Sequence, residues 1–299
     1  MTITQTIMQS KKRILVTGAN GQLGSEMRRL GEASPNDYIF TDVAELDITD
    51  AKAIIDFGGE QGFDVIVNCA AYTAVDRAEE DEATAEKINS EAVRNLASAA
   101  KQWNATLFHV STDYVFSGEG NTPRSEQMPT CPLGAYGRTK LHGEQAIAEV
   151  ECKALIFRTA WLYSEYGNNF LKTMLRLTAE RPHLNVVVDQ VGTPTYAGDL
   201  AMTIFAIIER DMYHGKEGIY HFSNEGVCSW YDFAVEIALA AGNRACEIHP
   251  CSSEEFPSKV KRPHYSVLDK TKCKKVFGVE IPHWRESMLY CLKRIMTKQ

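Results

Sequence analysis

The sequence predicts an α/β protein whose core is a doubly wound, mostly parallel sheet. Two observations lead to this class. Short apolar segments alternate with segments of helical pattern through the first half of the chain, which is typical of strands joined by helical crossovers. The first apolar segment, Ile14–Val16, is continuous and not alternating, as expected of a strand buried on both faces. With 299 residues, 44% of them hydrophobic, the chain can enclose a substantial core.

The first predicted unit is the strand Ile14–Val16, a glycine-rich turn and a helix. Gly18, Gly21 and Gly24 recur at three-residue spacing in the turn. Glycine there allows a tight turn and close approach of the backbone to a pyrophosphate, while the helix N-terminus supplies free N–H groups. Asp42 follows the second predicted strand, where its carboxylate can accept hydrogen bonds from a ribose. We therefore predict a Rossmann-type dinucleotide site.

The alternation of elements then continues. We predict strands at 38–41, 64–68, 106–111 and 155–158, and helices at 50–57, in a segment ending near Trp103, and from Tyr136 onward. In parallel sheets ligands bind at the carboxyl ends of the strands, so chemical groups are expected directly after them. Asn68–Tyr72 and Ser111–Tyr114 occupy such positions, and Asp47-Ile48 would flank an adenine. The Gly- and Pro-containing segment 117–132 is predicted to be a long surface loop.

The pattern becomes less regular after Asn168. We predict helices at 169–180, 199–209 and from the N-cap Ser229 to Ala241, strands at 185–188 and 218–222, and irregular chain at 250–263. The expected organisation is a dinucleotide-binding domain at 11–167 and a smaller substrate-binding lobe at 168–299 that is interleaved with the main sheet.

Tyr136 and Lys140 form the pattern Y-x-x-x-K, which places both side chains on one face of a helix. An ammonium beside a phenol stabilises the phenolate and lowers its pKa, so the pair is suited to acid–base work. A surface tyrosine packed on a lysine stem is the alternative interpretation. With Thr112 at a strand end, the functional interpretation assigns hydrogen bonding of a carbonyl oxygen to Thr112, proton transfer to Tyr136, and contact with a nicotinamide ribose to Lys140.

Composition excludes several classes of function. The net charge of −7, without a long basic segment, gives no reason to expect a nucleic-acid partner. No apolar stretch is long enough to span a membrane and Met1–Ser10 is too polar for a signal peptide, so a cytoplasmic protein is expected. The eight cysteines are scattered without a C-x-x-C pair, which favours free thiols. Cys246, His249 and Cys251 lie close in sequence, but ordinary packing is favoured over a metal site because a fourth ligand at zinc spacing is missing.

The chain resembles the extended short-chain dehydrogenases/reductases, and among them the dTDP-4-dehydrorhamnose reductases. The resemblance covers nearly the whole chain. It rests on T-G-A-N-G-Q-L-G at 17–24, L-D-I-T-D at 46–50, A-A-Y-T-A-V-D at 70–76, S-T-D-Y-V-F at 111–116, Y-G-R-T-K at 136–140, F-R-T-A-W at 157–161, G-N-N-F at 167–170 and R-P at 262–263. The glycine and Y-x-x-x-K motifs specify the superfamily, and the remaining elements together are more specific.

The resemblance implies reduction of the C4 ketone of dTDP-4-dehydro-L-rhamnose by NADPH or NADH, for synthesis of cell-surface polysaccharide. It assigns catalysis to Thr112, Tyr136 and Lys140, and the dTDP-sugar to Thr112, Asp113 and Trp161. Arg262 is added to the substrate site because it lies in a Pro-punctuated segment and its guanidinium suits a pyrophosphate. The glycine turn and the resemblance together assign the cofactor to Gly18, Asn20, Gly21, Gln22, Leu23, Gly24, Asp42, Asp47, Ile48, Ala70, Ala71, Tyr72, Tyr136 and Lys140. Some relatives dimerise around magnesium, and Glu26 matches one of its ligands, so a monomer and a homodimer both remain open.

Three other functions are considered. Nucleotide-sugar 4,6-dehydratases have an acidic pair after the threonine, whereas here Asp113 is followed by Tyr114. An epimerase would use the same hydride chemistry with a retained cofactor, and only the resemblance argues against it. A non-catalytic regulatory subunit would keep the nucleotide site, but the intact Thr112, Tyr136 and Lys140 argue for an enzyme.

Overall fold

The computed structural model describes residues 11–256 and 258–297, so the prediction made for Met1–Ser10 lies outside the described residues. The strands, labelled β1 to β12 in chain order, are Arg13–Thr17, Asp37–Phe40, Val65–Asn68, Thr106–Thr112, Lys153–Thr159, Leu162–Tyr163, His183–Val187, Val191–Gly192, Thr195–Tyr196, Gly218–His221, Cys228–Ser229 and Glu247–Cys251. The helices, labelled α1 to α11, are Gln22–Gly31, Ala51–Gly58, Val75–Ala78, Glu82–Glu86, Ala92–Trp103, Ala135–Val150, Phe170–Glu180, Ala197–Glu209, Trp230–Ala241, Thr271–Phe277 and Trp284–Thr297. A π-helical turn, Lys87–Glu91, precedes α5, and a 3-10 turn, Asp113–Val115, follows β4.

The main sheet has six parallel strands in the order β10-β5-β4-β3-β1-β2. The strand order reverses between β1 and β3, whose registers align Thr17 with Asn68. The chain leaves these two strands toward opposite sides, which opens a crevice at their carboxyl ends. The predicted doubly wound α/β class is therefore confirmed.

Both faces of the sheet are covered, and neighbouring residues of β1 show how. Ile14 and Phe157 pack against Ile204 of α8 on one face, whereas Leu15 packs against Leu96 of α5 on the other. Successive side chains of a strand point to opposite faces, so a continuous apolar segment is required where both faces are buried. This double burial fixes the positions of β1, β3 and β4, whose ends contribute to the site.

A third apolar core lies outside the sheet and joins the elements of the C-terminal lobe. It contains Leu171 of α7, Leu184 of β7, Phe233 of α9 and Met288 of α11. The division at residue 167 stays a prediction, because α8 and β10 belong to the 168–299 range but complete the sheet and its cover. The two ranges therefore share one continuous framework.

The predicted elements occur with small shifts at their ends. Other observed elements lie where no strand or helix was predicted. The segment predicted to be irregular, 250–263, includes the end of β12, which pairs in parallel with β7. Pro250 is compatible with a strand there because β12 belongs to a sheet of only two strands, and proline is tolerated at a sheet edge. No helix or strand is predicted from the sequence after Pro263, but α10 and α11 lie there. Within the described residues, no helix is both long and apolar enough to cross a membrane.

Candidate active site

The glycine turn after β1 forms the floor of the crevice. Gly18 has a φ of 62°, and a Cβ atom on it would lie 2.6 Å from the backbone of Ala70. A Cβ on Gly24 would lie 2.3 Å from the carbonyl oxygen of Gly18, so α1 can pack on the turn only because residue 24 has no side chain. The N-terminus of α1, with Gly21 as its N-cap, therefore faces the crevice with its free N–H groups.

The crevice is a cavity of about 610 Å³, and its lining fits a dinucleotide. Seven predicted cofactor residues line it, namely Gly18, Gly21, Asp42, Asp47, Ile48, Ala70 and Ala71. The backbone N–H of Asn20 donates to Asp42 Oδ2 at 3.0 Å, so the carboxylate is fixed at the end of β2. Lys87, which the sequence argument does not include, also lines the crevice.

Three predicted cofactor residues use their side chains for other contacts. Leu23 is buried in the core beneath α1. The amide of Gln22 accepts from Asn169 Nδ2 at 2.9 Å and therefore ties α1 to the start of α7. Tyr72, like Tyr136, packs against a small alanine cluster. Only the backbone groups of Gln22 and Leu23, at the helix N-terminus, are suited to a phosphate.

Thr112 ends β4 and stands at the centre of the predicted catalytic group. Its hydroxyl donates to Asp113 Oδ1 at 3.0 Å and accepts from the N–H of Tyr114 at 3.2 Å. The Thr112 side chain also acts to lower the pKa of the Tyr136 phenol, so the two hydroxyl groups are neighbours. The structure thus brings Thr112 and Tyr136 together, although they lie on a strand and a helix far apart in sequence.

Helix α6 carries Tyr136 and Lys140, and its first turn is held close to β4. The N–H of Ala135 donates to Glu79 Oε1 at 2.5 Å, which places a carboxylate at the helix N-terminus. A Cβ on Gly137 would lie 2.3 Å from the carbonyl oxygen of Tyr114, so this close approach requires glycine. The rings of Tyr114 and Tyr136 then meet edge to face, with centroids 5.5 Å apart.

The predicted lowering of the Tyr136 pKa by Lys140 is wrong. Burial raises the pKa of Tyr136 to about 12, against a smaller lowering by the Thr112 side chain. Lys140 does not contribute, and its Nζ donates instead to the carbonyl oxygen of Val110 at 2.6 Å. The phenol is therefore protonated at neutral pH, which is the form needed by a proton donor.

Lys140 ends a chain of buried polar groups that the sequence analysis did not identify. Thr17 Oγ1 donates to Asn68 Oδ1 at 2.8 Å, Asn68 Nδ2 lies 3.1 Å from His109 Nδ1, and His109 Nε2 lies 3.5 Å from Lys140 Nζ. Burial lowers the pKa of Lys140 to about 8 and holds the pKa of His109 well below its usual value. His109 therefore faces Lys140 as a neutral ring, and the chain links β1, β3 and β4 to the catalytic helix.

Asn89 is a second residue that sequence reasoning missed. It lies in the π-helical turn and is 1% exposed. Its amide accepts from the N–H of Tyr72 at 2.9 Å and donates to the Tyr72 carbonyl oxygen and to Thr139 Oγ1, each at 3.1 Å. Asn89 thus connects the loop after β3 to the catalytic helix. An interrupted helix with a buried amide is typical of a functional region, but only contacts distant in sequence identify it.

Asp113 is buried beside Thr112, and one of its oxygens is not used. The carboxylate is 2% exposed, and Oδ2 has no hydrogen-bond partner among the described residues. Burial raises the pKa of Asp113 to about 7, against the lowering effect of hydrogen bonds from Ser266 and Thr112. A buried acceptor without a partner is costly, so Oδ2 is suited to a hydroxyl of a ligand.

Trp161 lies at the predicted position on the carboxyl edge of the sheet. β5 ends at Thr159, which aligns with Thr112 of β4, and Trp161 follows with a φ of 49°. One face of its indole is covered by Trp230, with ring centroids 3.6 Å apart and planes 9° apart. The left-handed backbone at Trp161 is uncommon for a bulky residue and is held by the surrounding packing.

Arg262 lines a second, larger cavity of about 930 Å³ between α3 and the C-terminal lobe. Its Nη2 lies 3.1 Å from Asp76 Oδ2, and its buried Nε has no partner within the part of the chain that the structure describes. Asp76 therefore holds one side of the Arg262 guanidinium in place, while the Nε–H remains available as a donor. Thr112, Asp113 and Trp161 do not line this cavity.

The residues around Glu26 do not fit the magnesium site that the resemblance raises. Glu26 is fully buried, and its carboxylate is paired with Arg29 Nε at 2.9 Å. The Tyr196 hydroxyl lies 3.1 Å from an oxygen of Glu26 and 3.1 Å from one of Glu165, which in turn pairs with Arg294. Burial raises the pKa of Glu26, and Arg29 and Arg294 already supply positive charge to the two carboxyl groups.

The eight cysteines, all within the described residues, have free thiols. Cys246, His249 and Cys251 lie on or beside β12, and His249 is exposed and faces Glu247 at 3.5 Å. Across residues 11–256 and 258–297, no three acidic, histidine or cysteine side chains are grouped to hold a metal ion. Cys246 belongs to the apolar core of the C-terminal lobe, and Cys251 is also buried.

Comparison with known proteins gives concordant matches. Residues 12–297 match the protein family described as RmlD substrate binding domain. The chain is 40% identical over 302 residues to a dTDP-4-dehydrorhamnose reductase of Burkholderia thailandensis, covering 96% of this chain and 100% of that protein. A dTDP-4-dehydrorhamnose reductase of Clostridium acetobutylicum superposes with a TM-score of 0.90 at 43% identity, covering 95% of this chain and 99% of the other. The reductase of Bacillus anthracis, solved in complex with NADP, has a TM-score of 0.88 at 38% identity and 97% and 100% coverage.

Proposed function

Because the chain belongs to the RmlD family, whose relatives named above are dTDP-4-dehydrorhamnose reductases, we propose that it reduces the C4 ketone of dTDP-4-dehydro-L-rhamnose to dTDP-L-rhamnose. It is an NAD(P)H-dependent oxidoreductase. The observation that carries the proposal is the contact between Thr112 and the protonated Tyr136 beside a crevice of dinucleotide size. The product would serve the synthesis of cell-surface polysaccharide.

The mechanism follows from what each side chain can do. The nicotinamide, when bound, supplies the hydride. Thr112 donates a hydrogen bond to the ketone oxygen and so favours the negative charge that develops there. Tyr136, whose pKa is raised to about 12, transfers its phenolic proton to that oxygen. Thr112 can donate to the ketone only by releasing Asp113 Oδ1, so substrate binding exchanges one hydrogen bond for another.

Lys140 and Asp113 have supporting roles in this scheme. Lys140 is buried, and the neutral His109 and the Val110 carbonyl hold its amine on the sheet side of α6. From there it is suited to bind the hydroxyls of the nicotinamide ribose. Asp113 would accept a hydroxyl of the sugar with its free Oδ2. A dehydratase is disfavoured, because the residue after Asp113 is Tyr114, whose ring packs on Tyr136 and cannot serve as a second acid.

Incubation of the purified protein with NADPH and a panel of dTDP-4-keto sugars tests the proposal. We expect the absorbance of the reduced cofactor to fall with dTDP-4-dehydro-L-rhamnose. An epimerase would convert a sugar without net loss of that absorbance, and a regulatory subunit would convert none of them.

Substitution of Arg262 by alanine should raise the Michaelis constant for the sugar nucleotide and leave cofactor affinity unchanged. The guanidinium lines the large cavity, away from the crevice, and its fork suits a pyrophosphate. Some loss of turnover is also expected where remote binding energy aligns the ketone. Steady-state kinetics with each substrate varied in turn provide the measurement.

The neighbouring variant Lys261→Ala is the matched control. Lys261 is largely exposed, pairs loosely with Glu119 at 3.8 Å, and does not line the cavity. Wild-type kinetics of Arg262→Ala toward the sugar nucleotide, or a defect confined to cofactor binding, would refute the assignment of Arg262.

Both nicotinamide cofactors should support turnover. Asp42 at the end of β2 favours an unmodified ribose, and no Lys or Arg lies between Asp42 and Asp50 to pair with a 2′-phosphate. Lys87 approaches the crevice from the π-helical turn, but its charge acts on Asp47, whose pKa is lowered mainly by the Thr49 N–H and also by Lys87. A preference for NADPH of more than about a hundredfold in kcat/KM would show that this account of the ribose pocket is wrong.

Location and assembly are also part of the proposal. The nucleotide-sugar substrate favours the cytoplasm, and the pairing of Glu26 and Glu165 with Arg29 and Arg294 favours a monomer or a dimer that forms without magnesium. No nucleic-acid partner is proposed, since the net charge is −7. Sedimentation with and without a chelator measures the assembly state.

A further inference from the structure

We infer that Trp230, at the first position of α9, is the side chain on which the nucleoside base of the substrate stacks. The inference rests on the proposed function, because it assumes a nucleotide-sugar substrate, and it goes further by separating two tryptophans. Trp161 belongs to the catalytic side, whereas Trp230 presents its ring to the large cavity.

The placement of the two indoles carries the argument. Trp230 lines the cavity of about 930 Å³ and Trp161 does not. The rings are parallel within 9° at 3.6 Å, so the face of Trp161 that points toward Trp230 is closed to any ligand. Trp161 also packs against an apolar cluster that contains Val115 and Phe116, which follow Thr112 closely in sequence. A flat ring that enters the cavity therefore meets Trp230.

The local structure holds Trp230 in place. Ser229 and Asp232 form a reciprocal capping box, in which the Asp232 N–H donates to Ser229 Oγ at 3.0 Å and the Ser229 N–H donates to Asp232 Oδ2 at 2.9 Å. β11 pairs with β8, which aligns Cys228 with Gly192. A Cβ on Gly192 would lie 2.7 Å from Trp161 Cε2, so only glycine leaves room for the indole pair. Phe170 supports Trp230 at a centroid distance of 4.5 Å.

The cavity lining has an apolar part and a part with positive charge, as a nucleoside diphosphate requires. Apolar side chains from α7 and β7, including Met174, Leu177 and Val186, lie on the side of Trp230. Arginine and lysine side chains, including Arg77, Arg181 and Arg262, provide positive charge elsewhere in the lining. A base can stack on the apolar side while its phosphates reach the cations, because stacking on an indole needs only a flat π face.

The geometry also explains why two tryptophans are needed. Parallel indoles stacked nearly face to face are less favourable than offset or edge-to-face pairs, so this arrangement must be imposed by the surrounding chain. The left-handed φ of 49° at Trp161 is one sign of that constraint. Trp230 thus offers the base a ring that Trp161 supports from one side.

Binding of dTDP, which has the base and the phosphates but no sugar, tests the inference by calorimetry. Trp230→Ala should weaken dTDP binding by about 5- to 150-fold, the range expected for loss of one stacked base. Trp230→Phe retains a flat ring and should largely restore the affinity. Trp103→Phe changes a tryptophan that packs on Gly58 and Gly62, far from the cavity, and should not change it.

The outcomes separate the inference from the proposed function. If the unmodified protein binds dTDP and Trp230→Ala binds it equally well, the base lies elsewhere and the inference is overturned while the function stands. If Trp230→Phe binds dTDP as weakly as Trp230→Ala, a specific contact of the indole replaces stacking and the inference as stated is overturned. If the unmodified protein does not bind dTDP, the proposed function fails and the inference fails with it.

Discussion

Replacement of Tyr136 by phenylalanine should reduce kcat by about 10²- to 10⁴-fold, which is the usual contribution of general acid–base catalysis. The phenol is the group that contacts Thr112, and its raised pKa of about 12 keeps it protonated and ready to donate. Phenylalanine keeps the edge-to-face contact with Tyr114, so the local packing should survive. Single-turnover kinetics measure the loss, and a fluorescence titration with NADPH should give an affinity close to that of the unmodified enzyme.

Two further variants are compared with Tyr136→Phe, one at the other proposed catalytic residue and one as a control. Lys140→Ala should lose turnover and also weaken cofactor binding, because the ammonium is assigned to the nicotinamide ribose. Tyr220→Phe removes a phenol that donates to the carbonyl oxygen of Lys216 on the edge strand β10, and its turnover should be normal. Near-normal turnover by Tyr136→Phe would end the mechanism proposed for this site.

Replacement of Glu144 by alanine should lower the free energy of unfolding by about 3–5 kcal/mol, the cost of leaving one partner of a buried ion pair alone. Glu144 receives two hydrogen bonds from Arg158, at 2.9 Å and 2.6 Å, and one from Ser111 at 2.5 Å. Both charged side chains are at most 4% exposed. Since folded proteins are stable by only about 5–15 kcal/mol, this loss is a large fraction of the total.

Glu180→Ala is the matched control for this experiment. It also removes one glutamate from an ion pair with arginine, but the pair with Arg176 is more than half exposed on α7. Exposed pairs of this spacing contribute about 0.3–0.5 kcal/mol. Thermal unfolding followed by circular dichroism compares the two variants. Equal unfolding midpoints for Glu144→Ala and Glu180→Ala would show that the buried ion pair contributes no more to stability than the exposed one.

The parts of the fold that follow from local chemistry were predictable. The strands buried on both faces are continuous apolar segments, and Ser229 is recognisable as an N-cap before an apolar helix. The short strand pairs of the C-terminal lobe were less accessible. β8 and β11 have two residues each and form only because distant segments meet, which places Gly192 beside Trp161. The pairing of β8 with β11 therefore cannot be predicted from a short stretch of sequence.

The residues proposed for catalysis could be singled out from their types and spacing, but their electrostatics could not. A helix face places Tyr136 and Lys140 on the same side, yet the direction of the Lys140 amine depends on the Val110 carbonyl and on His109, which belong to β4. Likewise the sequence marks Trp161 by its motif, whereas Trp230 reaches the cavity only through the packing of α9. Burial and the identity of the contacting neighbour decide pKa values and access, and both arise from tertiary structure.

The most direct test of the account follows the fate of the transferred hydrogen. The enzyme would be incubated with dTDP-4-dehydro-L-rhamnose and NADPH that carries deuterium at both C4 positions of the nicotinamide, and the product would be examined by NMR. The account predicts deuterium at C4 of the sugar, with one cofactor oxidised for each sugar reduced. Deuterium at another carbon, or conversion of the sugar without net oxidation of the cofactor, would contradict it.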